Sequence, residues 1–300
     1  MGLFSERAVS LFLVAYFIGS VLAAEVDGLE KKRGVSCEKY KKIDPSHTAC
    51  ISQSKAKKSG VSESDKTVIV DAHNEERRIV SPSASNMMAM SWDDDLASTA
   101  QRWADTCPSG HDKSYDRAEF GKFNVGQNIA WGSPGMSWTK AVKLWADEKY
   151  DYDYNTNKPK APGKVVGHYT QVVWATSIRV GCGYALCNQR GKDTDVFVCN
   201  YGPAGNMQGE KPYTSGTPCS VCSSSCNNKL CDCKKALCKN GGTMDPNSCS
   251  CTCKSKFYKS PDCSLDCGSG TEPPHCSGWK QYCSMMSNVP TDCPKTCGWC

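Results

Sequence analysis

The placement of the cysteines constrains this chain more than any other feature. All 22 lie after position 33, with 6 in residues 1–218 and 16 in residues 219–300. The second segment has very few aliphatic residues, so its core is too small to offset chain entropy and crosslinks must hold it. The first segment carries most of the tryptophans and the long apolar runs, and is long enough to bury a core of its own. Between them, Gly205 to Pro218 is rich in Gly, Pro, Ser and Thr, a composition that marks a boundary, with a linker expected at 208–218.

The N-terminus sets the redox compartment. Arg7 precedes the apolar run Leu11 to Ile18, and small residues follow around Ala23-Ala24. This is the pattern of a secretory signal peptide over 1–24. The run is shorter than the roughly 20 apolar residues that a bilayer span needs, and no other segment approaches that length, so no membrane span is expected. Lys31-Lys32-Arg33 then reads either as a processing site ending a propeptide at 25–33 or as a solvated leader. Behind a signal peptide, an even number of cysteines implies disulfides, and hence a secreted, extracellular protein. The net charge of +5 is mild and both signs are interspersed, which excludes the electrostatic footprint of a nucleic-acid binder.

Within the first segment three helices are legible. Ser62 to Asp65 offers an N-cap for a helix through Ile79, and Ser91 is expected to cap a second, with Asp93, Asp94 and Asp95 in its first turn. Leu96, Ala100, Trp103 and Cys107 then form one stripe. A third helix is expected from Ser137 to Tyr150, with Ala141, Leu144, Trp145 and Glu148 on one face. A carboxylate among apolar neighbours implies a partner for Glu148. Strands are expected at Tyr169 to Ala175, Val180 to Ala185 and Asp195 to Tyr201. Helices followed by strands give an α+β layered domain.

Several motifs fall in order over residues 65–207: His73-Asn74-Glu75-Glu76-Arg77, Ser91-Trp92-Asp93, Gly167-His168-Tyr169-Thr170-Gln171-Val172-Val173-Trp174 and Phe197-Val198-Cys199-Asn200-Tyr201-Gly202-Pro203. Together they resemble the CAP superfamily of cysteine-rich secretory proteins, venom allergens and plant pathogenesis-related proteins. The resemblance implies an α–β–α sandwich around a three-stranded antiparallel sheet, followed here by small disulfide-rich modules. It also implies a cleft with two histidines and two acids. Carried onto this chain these are His111, Glu148 and His168, while the second acid, in a Gly-Glu-Asn motif, is replaced in Gly126-Gln127-Asn128. A neutral amide is a weaker ligand than a carboxylate and cannot join an acid/base pair. His111, Glu148 and His168 still supply the three ligands of a zinc site with an open position; the alternative is a hydrogen-bonded polar cleft without metal. No cofactor is required, and zinc is the one that these residues admit. His73 stands outside the four and reads as structural. Ser109 and Thr170 are the nearby hydroxyls, and nothing marks either as an activated nucleophile, so no catalytic residue is assigned.

In the tail, Cys219, Cys222, Cys226 and Cys231 resemble the hinge of cysteine-rich secretory proteins, taken as 219–233. Cys238-Lys239-Asn240-Gly241-Gly242 with Cys249, Cys251, Cys253 and Cys263 resembles an EGF-like segment at 234–265. Cys267, Cys276, Cys283, Cys293, Cys297 and Cys300 resemble a ShK domain at 267–300, the fold of sea-anemone potassium-channel toxins. The loop after Cys283 lacks the Lys-Tyr pair with which those toxins plug a pore, although Met285 and Met286 offer an adaptable apolar surface. Cys37 and Cys50, in an N-terminal extension at 34–64, are close enough in sequence to pair. The resemblances imply Cys107–Cys187, Cys182–Cys199, Cys219–Cys226, Cys222–Cys231, Cys267–Cys300, Cys276–Cys293 and Cys283–Cys297, and leave open the pairing of the six that remain, Cys233 and the five of the EGF-like segment.

Three functions follow as expectations. The leading one is a secreted binding protein, a venom or defence component whose tail meets an extracellular target such as an ion channel. The second is an extracellular lipid or sterol carrier, and the third a secreted protease or metal-dependent hydrolase, which Gln127 disfavours.

Overall fold

The computed structural model describes residues 37–41, 44–283, 285–286 and 288–300. The expected signal peptide and basic leader lie outside the described residues. Among the described residues no helix is long and apolar enough to cross a membrane.

A one-turn helix α1 (Glu38–Lys41) opens the extension. Helix α2 (Glu63–Arg78) begins where the Ser62 hydroxyl accepts the Asp65 N–H, a side-chain cap of the expected kind. Helix α3 (Asp94–Asp105) is capped by Asp93, whose carboxylate accepts the N–H groups of Asp95 and Leu96. Ser91 is not the cap; it lies in the short strand β2 (Ser91–Trp92), after β1 (Lys58–Ser59). Strand β3 (Gly126–Gly132) leads to α4 (Trp138–Ala146), capped by Ser137, and a 3-10 turn over Asp147–Tyr150. Ala141 and Trp145 are buried but Leu144 is exposed, so the face expected to hold all three is narrower than the spacing suggested. A short ladder of β4 (Tyr152–Asp153) and β5 (Lys158–Pro159) precedes α5 (Gly167–Val172). Tyr169 to Ala175 was expected as a strand. It starts as helix because Tyr169, Val172 and Val173 enter the core at helical spacing and because Glu148 caps its first N–H groups.

Strands β6 (Arg179–Gln189) and β7 (Lys192–Gly202) form a long antiparallel hairpin. Its two-residue turn has φ of 53° at Arg190 and 81° at Gly191, the positive values that match hairpin twist. The sheet order is β1-β6-β7-β3, with β2 parallel to β6. Side chains alternate along β7: Phe197, Cys199 and Tyr201 enter the main core with Ile69, Trp138, Trp145, Tyr169 and Val172, while Val196 and Val198 face Ala100 and Ala104 of α3. Helices α2, α4 and α5 thus cover one face and α3 the other, an α–β–α sandwich. A Cβ at Gly181 or Gly183 would collide with the backbone of Ala97 or Gln101, so these glycines let α3 lie directly on β6.

Eleven disulfides take up all 22 cysteines. The structure pairs Cys37–Cys50, Cys107–Cys187, Cys182–Cys199, Cys219–Cys226 and Cys222–Cys231. The next six pair as Cys233–Cys249, Cys238–Cys251 and Cys253–Cys263, so Cys233 belongs with the middle module, and a border at 233/234 would cut a covalent pair. The last six pair as Cys267–Cys300, Cys276–Cys293 and Cys283–Cys297 around the one-turn helix α6 (Val289–Asp292).

The expected linker at 208–218 is packed: Tyr213 is buried and stacked on Tyr154, and Thr214 and Gly216 bond the backbone of Ser85 and Ser83. Leu230 joins the main core, and Cys231 exchanges backbone hydrogen bonds with Met87 and Ala89. The tail therefore docks on the sandwich. In the extension Tyr40 stacks on His47 at 3.9 Å and packs with Tyr115, Phe120 and, from the far end of the chain, Trp299.

Candidate functional site

The four expected cleft residues form two hydrogen-bonded pairs, His111 with Gln127 and Glu148 with His168, and β3 positions both. Gln127 lies opposite Asn200 of β7. Its Nε2 donates to Asp112 Oδ1 and to Asn200 Oδ1, each at 3.0 Å, and its Oε1 lies 2.7 Å from His111 Nδ1. A carboxylate only accepts, so Asp112 fixes the amide orientation, which in turn makes His111 Nδ1 the protonated nitrogen and leaves Nε2 as the basic one. Asp112 is buried, bonds the Arg117 guanidinium at 2.8 Å and accepts the Thr48 hydroxyl at 2.6 Å.

Asn128, the next residue, serves the other pair. Its Nδ2 donates to the His168 carbonyl at 3.0 Å and to the Tyr201 hydroxyl at 3.3 Å. Glu148 projects from the turn after α4. Its Oε1 lies 2.6 Å from His168 Nδ1, and its Oε2 accepts the backbone N–H groups of His168 and Tyr169 at 2.9 and 3.1 Å. The partner implied by a carboxylate in apolar company is thus the start of α5, where a negative charge is stabilised by free N–H groups. Glu148 orients His168 as a carboxylate orients a metal-binding histidine, by accepting a hydrogen bond from its Nδ1–H.

The expected zinc ligands His111, Glu148 and His168 are not gathered as a set. Among the described residues, the one place where three His, Cys, Asp or Glu ligand atoms lie within 4.8 Å of one another is His275 with Cys276 and Cys293, and those sulfurs are bonded to each other. Both Glu148 oxygens are committed to His168 and Tyr169. Two imidazole Nε2 atoms alone fall short of the three protein ligands of an open zinc site, so the residues as arranged do not fit that centre. The Thr170 hydroxyl faces the carbonyls of Val166 and Gly167 and the Asn206 amide oxygen, not a histidine.

His73-Asn74-Arg77 of α2 is a structural unit. His73 is buried, with Nδ1 2.7 Å from the Ile69 carbonyl and Nε2 2.9 Å from the Tyr201 hydroxyl, and burial lowers its pKa to about 4. Asn74 exchanges two bonds with the Met90 backbone. The fully buried Arg77 donates to the carbonyls of Met88, Val172, Trp174 and Ala175, tying the segment after α5 to the one before β2. Asp112, Asn128 and Asn200 were not singled out from sequence. The last two sit inside the quoted motifs, whereas Asp112 has no local signal beyond adjoining His111.

A second feature lies at the seam with the tail. A cavity of about 460 Å³ is walled by Met88, Phe123, Trp174 and Ile178 of the sandwich and by Leu237 and Met244 of the middle module.

Residues 70–201 match the CAP family, described as the cysteine-rich secretory protein family. Cysteine-rich venom protein Mr30 from Conus marmoreus is 34% identical over 294 residues, covering 94% of this chain and 97% of that protein. Cysteine-rich secretory protein 3 from Equus caballus is 48% identical over 165 residues, 54% of this chain and 66% of that protein. Among solved structures, that of NaASP2 with Zn²⁺ is 32% identical with a TM-score of 0.49, covering 57% of this chain and 96% of that one.

Proposed function

The chain belongs to the CAP family of cysteine-rich secretory proteins, and on that premise we propose that it is a secreted, venom-type binding protein whose tail meets an extracellular protein, in the specific form an ion channel. The observation that carries this reading is an apolar surface on the last module. Tyr282, Met285 and Met286 are 36%, 64% and 48% exposed, on a segment held by three disulfides. Exposed apolar side chains suit a protein contact, and a backbone held by disulfides loses little entropy on binding. The three pairings of this module are those implied by a ShK likeness, and we read the module before it as EGF-like. Without the Lys-Tyr pair, contact would be made by the methionine surface rather than by a lysine in the pore. The 9 lysines of residues 219–300, against 6 acids and no arginine, would steer the tail toward an acidic vestibule.

Voltage-clamp recording tests this with the full chain and its Met285→Ser/Met286→Ser variant. Wild type at micromolar concentration should alter potassium, calcium or ryanodine-type currents and the variant should do so less. Unchanged currents across these channels would remove the channel reading.

The seam cavity favours a second reading, carriage of a lipid or sterol, because its walls are largely apolar and its volume lies in the range of small-molecule sites at domain interfaces. Saturable sterol or fatty-acid binding by the full chain that Ile178→Glu abolishes would support it. No saturable binding would end it.

A further inference from the structure

We propose that one ordered water is bound between Tyr115, Glu119, Asn240 and Trp299, and that it ties both C-terminal modules to the sandwich. A void of about 20 Å³ lies among these four side chains. That is room for a single water, which needs about 10–15 Å³ and two to four polar partners. The Tyr115 hydroxyl, Glu119 Oε1, Asn240 Oδ1 and Trp299 Nε1 are each buried without a hydrogen-bond partner among the described residues. Glu119, Asn240 and Tyr115 are only 1%, 2% and 8% exposed. Four stranded polar atoms around one void would be costly unless something in it bonds them.

The chemistry of the four selects the occupant. Glu119 Oε2 already accepts from the Tyr40 hydroxyl at 2.7 Å and from Lys39 at 3.2 Å, leaving Oε1 as an acceptor toward the void. The Asn240 amide is oriented by its Nδ2, which donates to the Cys263 carbonyl at 2.8 Å, so Oδ1 is a second acceptor. The Trp299 indole can only donate, and the Tyr115 O–H supplies the other donor. Two acceptors and two donors match the four bonds of water. A cation would meet the Trp299 N–H and an anion the Glu119 carboxylate. Lys122, the remaining charged group beside the void, is paired with Asp95.

The water would join residues 115–119 of the sandwich, Asn240 of the middle module and Trp299, the penultimate residue. Covalent links between these units run only through the chain, so noncovalent contacts such as Phe120 against Trp299 at 5.7 Å and this node set the tail's orientation, and with it the direction of the methionine surface.

A crystal structure of the full chain tests the proposal directly. A density peak within hydrogen-bond distance of at least three of the four atoms is expected. A void closed by side-chain movement, no peak, or a peak exchangeable for Tl⁺ would overturn it. Hydrogen exchange gives a second readout through Tyr115→Phe and Trp299→Phe, which remove a donor and keep an aromatic ring. Each should speed local opening around Asn240 and residues 296–300 about fivefold to a hundredfold, as an unsatisfied buried group does. Because both donors would bond the same water, the double variant should depart from the product of the single effects; strictly multiplicative effects would refute a shared partner.

Discussion

Replacing Gln127 by glutamate, the residue that the family motif leads one to expect, should weaken this protein. The amide donates two hydrogen bonds, to Asp112 Oδ1 and Asn200 Oδ1, both at 3.0 Å. An isosteric carboxylate turns both into contacts between acceptors. The bond to a charged acceptor is worth about 1.5–3 kcal/mol and the neutral one about 0.5–1.5, so the loss is about 2–4 kcal/mol. Two carboxylates 3.0 Å apart would repel by about 5 kcal/mol at an effective dielectric of 20. Holding a glutamate of ordinary pKa protonated at pH 7 costs about 4 kcal/mol, so the variant should take up a proton. Its folded state then binds more protons than the unfolded chain above pH 4, and its stability relative to wild type falls as pH rises. The assay is urea unfolding with disulfides intact at pH 5 and pH 7. The gap in midpoint between wild type and Gln127→Glu should be wider at pH 7. An equal gap at both values, or none, would refute the idea that Asp112 selects an amide at this position.

Arg77→Met should cost at least about 3 kcal/mol in the same assay, because the carbonyls of Met88, Val172, Trp174 and Ala175 lose a shared donor in a buried place; Arg77→Lys should recover only part of the loss, lacking the planar fork. His47 and His73 are both held near pKa 4 by burial, below the 6.5 of an unfolded histidine. The unfolded chain therefore binds more protons between those values, and stability should fall by up to about 3 kcal/mol per histidine as pH drops from 6.5 to 4. His73→Gln should flatten that descent, and an unchanged slope would show that His73 is not buried neutral. Calorimetric titration with Zn²⁺ should give weak heats, nearly equal for wild type and His168→Ala. Binding tighter than about 1 μM that the substitution abolishes would mean that Glu148 releases its backbone partners to complete a site.

What could be read from sequence is what local chemistry determines. Ser62 and Ser137 cap helices because each precedes an amphipathic run, and the crowding of cysteines after 218 separates a domain with a core from modules that need staples. The failures have nonlocal causes. Tyr169 to Val173 has the aromatic and β-branched residues of a strand, and what makes it start as helix is nonlocal: the core that takes Tyr169, Val172 and Val173, and Glu148, some twenty residues earlier in the chain, which accepts the N–H groups of His168 and Tyr169. Gly205 to Pro218 has the composition of a linker, yet Tyr213 finds a slot beside Tyr154 that no local pattern announces. The cleft divides in the same way. The motifs name His111, Gln127, Glu148 and His168, and the structure brings them together as two separate pairs. The decisive neighbour, Asp112, is one acid in a polar stretch, and its burial depends on Arg117 and Thr48. Gln127 and Asp112 explain each other: an amide donor at one position satisfies a buried carboxylate at the other, and a carboxylate at both would not be accommodated without a proton. The departure from the family motif therefore moves the position's role from anionic ligand to hydrogen-bond node.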